Sequence, residues 1–147
     1  MILHTASEGI TFAKKLEDDS ARFYEGLAQR YPQDAETFLS FARENKKNIA
    51  QIERAYYGVI TDAIEGGYAF SIDPDNYALK TTVPDGAAYA DILEQAVEIE
   101  EKIIKFYSDA AEQSKSLMAD VPRAFMMVAR KKELRKPKLR SLLHNEN

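Results

Sequence analysis

The segment Glu17-Asp18-Asp19-Ser20-Ala21-Arg22-Phe23-Tyr24 has a counterpart 83 residues later, Glu100-Glu101-Lys102-Ile103-Ile104-Lys105-Phe106-Tyr107. In both copies a glutamate is followed by five residues and then by Phe-Tyr. Further apolar residues recur at the same offset: Ala13, Leu16 and Ala28 as Ala96, Ile99 and Ala111. Each copy places its apolar side chains at steps of three and four, which is typical of an amphipathic helix.

A second repeat follows the first. It consists of Phe38, Phe41, Ala42, Asn45, Asn48 and Ile52, which correspond 87 residues later to Phe125, Val128, Ala129, Lys132, Arg135 and Leu139. Both runs again have helical periodicity. Two matched pairs of helices predict an all-α four-helix bundle with pseudo-two-fold symmetry. The length of 147 residues suits a single domain over 1–147.

The signals for helix ends predict four long helices. We expect them to run from about Ser7 to Arg30, from Gln33 to Tyr57, from Ala87 to Ser114, and from Asp120 onward. Ser7 and Asp120 are the expected N-caps. Pro137 should kink or end the fourth helix, although leucines beyond it favour a continuation.

Residues 58–86 form a long connection between the two helix pairs. Its turn signals are Gly66-Gly67, Asp73-Pro74-Asp75-Asn76 and Pro84-Asp85-Gly86. A connection of this length allows the third helix to begin at the same end as the second. We therefore predict a bundle with one long crossover between helices 2 and 3.

Polar side chains interrupt every apolar stripe at about its middle. They are Glu17, Asn45, Asn48, Glu100, Lys132 and Arg135. Any one of them alone is explained as a boundary residue that extends its polar end to water. Six at matched positions of a repeat favour a common layer inside the bundle.

Tyr24 and Tyr107 follow the two glutamates by seven residues, on the same helix face. Their rings are expected in the core, and their hydroxyls are candidates for hydrogen bonds to the polar layer.

Composition excludes several kinds of chemistry. Cys is absent, which removes disulfides, thiol catalysis, iron–sulfur clusters and Cys-type zinc sites. No apolar run reaches the length of a membrane span, and the N-terminus does not read as a signal peptide. We expect a cytoplasmic protein that does not bind membranes.

The net charge of −4 is unevenly distributed. The segment from Arg123 to Arg140 contains eight basic residues and one acidic residue, Glu133. Such a segment can bind nucleic acid or an anionic surface. Aromatic residues are not interleaved with these bases, as binding of single strands would require. We therefore expect this helix to pack beside acidic helices of its own bundle and not to bind nucleic acid.

The repeat resembles the rubrerythrin-related group of ferritin-like proteins. That family has a Glu in helices 1 and 3 and Glu-x-x-His or a close variant in helices 2 and 4, which together hold two iron atoms. The segment Gly67-Tyr68-Ala69-Phe70 is similar to its crossover. The resemblance implies a ferritin-like four-helix bundle, homodimers, and oxidoreductase activity on peroxide, oxygen or ferrous iron.

The motif positions of this chain depart from the family in helices 2 and 4. They read Asn45-Lys46-Lys47-Asn48 and Lys132-Glu133-Leu134-Arg135, so only Glu17 and Glu100 remain of six ligands. Protonated Lys and Arg are donors only and do not ligate a metal. A one-residue shift to Glu133 and Lys136 would break the apolar match of the repeat, so we reject it. We predict a degenerate site without metal or catalytic residues, in which Lys132 and Arg135 neutralise the two glutamates.

Three functions compete at this level. The leading one is a non-catalytic binding or assembly role. The alternative is a di-iron oxidoreductase with an atypical ligand set, Glu17, Glu44, Glu100 and Glu133. The third is binding of nucleic acid or an anionic surface by the basic helix. A homodimer is also predicted, from the resemblance and from aromatic residues expected to be exposed in the connection: Tyr68, Phe70 and Tyr77. The sequence names no protein partner.

Overall fold

The computed structural model describes residues 1–59, 69–115 and 120–144. Its helices are α1 (Ala6–Arg30), α2 (Ala35–Val59), α3 (Tyr89–Ser114), α4 (Asp120–Glu133) and α5 (Arg135–His144), with 3-10 turns at Pro32–Asp34 and Pro74–Tyr77. The segments α4 and α5 together form the fourth helix of the bundle. The described residues contain no β-strand, only an isolated bridge between Leu3 and Ile72. The predicted all-α bundle of four packed helices is confirmed.

The N-terminus of α1 differs from the prediction. Thr5, not Ser7, is the N-cap: its side chain accepts a hydrogen bond from the backbone N–H of Glu8. The Glu8 carboxylate in turn accepts from the backbone N–H of Thr5, 2.9 Å away. This reciprocal capping box needs Thr and Glu three residues apart, a spacing that Ser7 does not offer.

The other helix bounds lie close to the predicted ones. The residues before α2 form a 3-10 turn at Pro32–Asp34, so α2 begins at Ala35 and not at Gln33. Helix α3 begins at Tyr89 and not at Ala87. Asp120 is the first residue of α4, and the residues before it lie outside the described ranges.

The fourth helix is interrupted at Leu134, three residues before Pro137. A proline has no N–H, and its ring collides with the carbonyl of the residue four before it, here Glu133. The break therefore falls N-terminal to the proline, and Pro137 lies in the first turn of α5. Helix resumes as the leucines predicted, and Leu139 and Leu142 are buried.

Contacts at the start of α3 fix the direction of that helix. Tyr89 stacks on Tyr31, which follows α1, with 4.2 Å between ring centroids. The Tyr89 hydroxyl also donates to Asp34, which directly precedes α2. Helices α2 and α3 thus begin at the same end of the bundle and run in the same direction.

The described part of the connection runs back along α3. Near one end of that helix the Ser71 N–H donates to Gln113 Oε1, at 2.7 Å. Near the other end Gln95 Nε2 donates to the carbonyl of Lys80, also at 2.7 Å. The predicted turn at Gly66-Gly67 lies outside the described residues.

The expectation of exposed aromatic residues in the connection was wrong for both residues that the structure describes. Phe70 is buried and lies against Gly9 of α1, so closely that a Cβ on that glycine would come within 2.5 Å of its ring. Tyr77 is buried against Phe106 and donates its hydroxyl to Asp109. Tyr68 lies outside the described residues. The homodimer therefore stays a prediction that rests on the resemblance alone.

Within the described ranges, no helix is long and apolar enough to cross a membrane.

The core repeats like the sequence. Tyr24 of α1 stacks on Phe38 of α2, with ring centroids 6.2 Å apart. Its counterpart Tyr107 of α3 contacts Phe125 of α4, with centroids 5.5 Å apart. Each pair of helices thus packs its tyrosine against the corresponding phenylalanine of the repeat. The polar layer lies beside these rings, at the middle of the bundle.

Candidate functional site

The polar residues that interrupt the apolar stripes all lie in the interior of the bundle. Glu17, Asn45, Asn48, Glu100 and Lys132 have no exposed surface, and Arg135 is 1% exposed. Tyr24 and Tyr107 are also fully buried. The structure joins seven of these eight residues into one connected layer, through the contacts described below. The eighth, Asn48, is buried too but is bonded to Lys131 instead.

Two tyrosine–glutamate pairs cross between α1 and α3. The hydroxyl of Tyr24 donates to Glu100 Oε1 at 2.6 Å, and that of Tyr107 donates to Glu17 Oε1 at 2.7 Å. These reciprocal bonds follow from the repeat, because α1 and α3 are antiparallel and each carries its tyrosine seven residues after its glutamate. Of the two roles open to these tyrosines, they have both: core packing and a bond to the polar layer.

Lys132 lies between the two carboxylates. Its Nζ atom is 3.0 Å from Glu17 Oε2 and 3.7 Å from Glu100 Oε2. It also donates to Asn45 Oδ1 at 3.4 Å. One ammonium group thus bridges both glutamates, in a place with no exposed side-chain surface.

Arg135 binds the second carboxylate and continues outward. Its Nη1 donates to Glu100 Oε1 at 2.9 Å, and its Nη2 donates to the carbonyl of Phe41 at 3.1 Å. Its Nε and Nη2 both donate to Glu44 Oε1, at 3.1 and 2.8 Å. The guanidinium also lies over the Phe41 ring, 4.9 Å from its centroid. Arg135 therefore connects the buried layer with the rim, where the Glu44 side chain is 37% exposed.

The two asparagines of α2 provide neutral contacts. Asn45 Nδ2 donates to the backbone carbonyl of Glu17 at 3.0 Å, which joins α2 to α1. Asn48 Oδ1 accepts from Lys131 Nζ at 3.4 Å. Among the residues that the structure describes, the Asn48 amide nitrogen finds no hydrogen-bond partner, and neither does the hydroxyl of Ser20 on α1. Two neutral groups at this level of the bundle are thus buried without a hydrogen bond from the described residues.

The second oxygen of each buried glutamate is stabilised by the charge of Lys132 and, among the described residues, not by a hydrogen bond. Glu17 Oε2 and Glu100 Oε2 accept no hydrogen bond of regular geometry from the described part of the chain, yet both face the Lys132 ammonium. Burial raises the pKa of the Glu100 carboxyl, but Lys132 and Arg135 lower it more strongly, so its pKa lies below the ordinary value. Glu100 is therefore an anion in the folded protein at neutral pH.

The two tyrosines act as donors. Burial and then the charge of Glu100 raise the pKa of Tyr24 well above its ordinary value. Burial and then the charge of Glu17 do the same for the pKa of Tyr107. Both phenols therefore keep their protons and donate hydrogen bonds to the carboxylates.

The sequence analysis named Glu44 only as a metal ligand of the di-iron alternative. Its position lies about 100° round the helix from the inward stripe. The structure shows it bound to Arg135 at the rim. Lys131, Ser20 and the Phe41 carbonyl were not singled out at all. The contact with Glu44 could have been predicted only by pairing an acid on α2 with a base at the same height on the fourth helix.

The donor set does not fit two iron atoms. Iron centres of this class need several carboxylates and imidazoles. At two positions that the resemblance aligns with ligands stand a lysine and an arginine, and both are cations that repel metal. In the part of the chain that the structure describes, no group of three His, Cys, Asp or Glu side chains is placed to hold a metal ion.

Comparisons with protein-family models, with curated proteins and with solved structures found no match to this chain. The resemblance to rubrerythrin-type proteins therefore stays a prediction that rests on the repeat and its motif positions.

Proposed function

We propose that this chain is a ferritin-like, rubrerythrin-related bundle with one long crossover, in which an ion-pair layer replaces the di-iron centre, and that it has a non-catalytic binding or assembly role. The observation that carries the proposal is the position of Lys132. Its ammonium lies 3.0 and 3.7 Å from the carboxylates of Glu17 and Glu100, the two residues that match family ligands. A cation from the chain thus lies between the two carboxylates that would help to hold metal ions in the family.

The charge balance supports this proposal. Two buried carboxylates need compensation, because an unpaired charge in a dry interior costs several kcal/mol. Lys132 and Arg135 supply two positive charges at the depth of Glu17 and Glu100. The layer is then neutral without a metal, and its residues are held in place by each other. These contacts occupy the carboxylates that would otherwise be available to a metal ion.

No observation favours the di-iron alternative. It needs Glu44 and Glu133 to turn inward as ligands. Glu44 is held by Arg135, and the Glu133 side chain is 51% exposed and paired with Lys136. Both would have to leave their partners and pass a buried base to reach Glu17.

The basic segment also has internal partners, which supports the expectation that it does not serve nucleic acid. Lys132 and Arg135 bind buried carboxylates, and Lys131 donates to Gln51 Oε1 at 3.1 Å. Lys136 pairs with Glu133 at 2.9 Å and reaches Glu101 at 4.0 Å.

Elemental analysis after growth in iron-rich medium tests the proposal. We expect iron well below one atom per chain. A matched variant that restores the family ligand set, N45E/N48H/K132E/R135H, should gain iron under the same conditions if the register of the motifs is correct. About two iron atoms per wild-type chain, together with peroxide-dependent turnover, would overturn the proposal and establish the oxidoreductase.

A further inference from the structure

We propose that the cavity beside Arg135 binds a small oxyanion, a carboxylate or a phosphate, which replaces the Glu44 carboxylate on the guanidinium. The inference goes beyond the proposed function, because it needs only Arg135 and its surroundings and does not depend on the family relationship.

The cavity lies between α2 and the junction of α4 with α5, and its volume is about 150 Å³. Three of its lining residues are bases and one is an acid. The lining consists of Ser40, Phe41, Glu44, Lys131, Leu134, Arg135 and Lys138. A cavity of this size accommodates one phosphate or one short carboxylic acid, and the excess of bases attracts an anion.

The guanidinium of Arg135 is held independently of Glu44. Glu100 accepts from Nη1 at 2.9 Å, the Phe41 carbonyl accepts from Nη2 at 3.1 Å, and the Phe41 ring supports the flat face. The Arg135 side chain is only 2% exposed. Its orientation therefore persists when the outer carboxylate leaves, so the donors are already in place for a ligand.

The Nε and Nη2 edge of an arginine is a fork that matches two oxygens of a carboxylate or phosphate. Glu44 uses this fork incompletely, since both donors converge on its single atom Oε1. A free oxyanion would place one oxygen on each donor. The geometry thus favours a ligand with two available oxygens over the carboxylate that the chain supplies.

Glu44 can leave Arg135 toward the solvent, although not toward the core. Its side chain is 37% exposed, so its charge is easily transferred to water, unlike that of the fully buried Glu100. Lys138 is exposed at the mouth of the cavity, and Lys131 lines it from the α4 side. These two lysines supply charge for an incoming anion after Glu44 has turned outward.

The test is a titration of the chelator-treated chain of residues 1–147 with inorganic phosphate and, separately, with succinate, at constant ionic strength in sodium chloride. The side-chain Nε–H signal of Arg135 in ¹⁵N NMR reports the site directly. We expect this signal to shift and saturate with at least one of the two anions. The arm that saturates at lower concentration identifies the ligand class as phosphate or carboxylate.

Variants separate displacement of Glu44 from general attraction of anions. Glu44→Gln removes the competing charge and should tighten binding about fivefold, whereas Lys138→Ala should weaken it about two- to threefold. Glu36→Gln is the matched control: it removes one charge from the same helix, where Glu36 is exposed and bonded to Arg43. We expect the control to change the affinity by less than twofold.

Three outcomes would overturn the inference. One is an Arg135 signal that stays unshifted with both anions up to roughly 50 mM, where even a millimolar site is filled. Another is an equal effect of Glu44→Gln and Glu36→Gln, which would mean non-specific attraction. The third is unchanged binding in Lys138→Ala, a variant at an exposed position that leaves the buried layer intact. Metal content is measured separately, so iron in the wild-type protein would refute the proposed function without deciding this one.

Discussion

The two helix pairs of the bundle agree in their first helices and differ in their second. Helices α1 and α3 each supply a buried glutamate and a tyrosine that bonds the glutamate of the other helix. Helix α2 supplies Asn45 and Asn48, whereas the fourth helix supplies Lys132 and Arg135 at the matching positions. The two helix pairs pack alike and so need side chains of similar shape. The buried polar layer is shared by both pairs, so its charge has to be neutralised only once. Two cations on one pair of helices compensate the carboxylates of both.

The largest effect should follow from removing the cation shared by the two halves. Lys132→Ala leaves Glu17 and Glu100 facing each other without their bridging ammonium, and should lower the free energy of unfolding by about 3–5 kcal/mol. Denaturant melts measure this loss. Lys131→Ala is the control, since Lys131 is only partly buried and bonds neutral groups; its loss should be about 1 kcal/mol. A loss of less than about 1 kcal/mol for Lys132→Ala would show that the carboxylates reach water.

A double variant sharpens this result. Glu17→Gln with Lys132→Met removes one charge of each sign and keeps the volume similar. It should lose much less than the sum of its two single changes, because no unpaired charge is left between these residues. Simple additivity would contradict direct coupling across the halves.

Low pH should destabilise the same layer by protonating its carboxylates. The pKa of Glu100 is lower in the folded protein than its ordinary value, since Lys132 and Arg135 outweigh burial. Its contribution to stability is therefore complete above the unfolded pKa of about 4.3 and is lost as pH falls through the folded pKa. Urea melts between pH 7 and pH 3 should show a steeper decline for the wild type than for Glu100→Gln. Equal slopes would remove Glu100 from the list of acid-sensitive groups.

The two tyrosines test whether the matching bonds of the two helix pairs contribute equally to the free energy of unfolding. Tyr107→Phe removes the one hydrogen bond that Glu17 Oε1 accepts from the described residues. In Tyr24→Phe, Glu100 Oε1 keeps its bond from Arg135. We expect losses of about 1–3 kcal/mol for Tyr107→Phe and of about 1 kcal/mol for Tyr24→Phe. Melts of the two variants under one set of conditions give the difference. A larger loss for Tyr24→Phe would mean that the arginine does not compensate.

The smallest effect is expected on the surface of α1. Lys15 pairs with Asp19 at 2.8 Å, with the Lys15 side chain 66% exposed. Lys15→Ala should change the free energy of unfolding by only about 0–1 kcal/mol, because water and salt screen the pair. Melts at low and high salt measure it. A loss as large as that of Lys132→Ala would mean that burial does not explain the difference between these two lysines.

Helical periodicity predicted much of the fold. The four long helices and the depth of Glu17, Asn45, Asn48 and Glu100 follow from residue spacing, because a helix turns by a fixed angle per residue. The N-cap of α1 was misplaced, since Ser7 was favoured by residue type alone. The capping box uses the spacing between Thr5 and Glu8, which is also visible in the sequence.

The connection was predicted less well. Phe70 and Tyr77 read as exposed aromatics because no periodicity marks the buried face of an irregular segment. Their burial depends on neighbours distant in sequence: Gly9, which leaves room for the Phe70 ring, and Phe106, which contacts Tyr77.

The sequence alone determined that two acids and two bases lie at one level of a four-helix bundle, since the repeat fixes the depth of each side chain along its helix. Only the tertiary structure decided which of these side chains are bonded to each other. It placed Lys132 between both glutamates, turned Arg135 outward to Glu44, and gave each tyrosine the glutamate of the other helix. The physical reason is that periodicity specifies a position and a direction on one helix. The atoms that meet across the core depend on how the helices pack and on the length of each side chain.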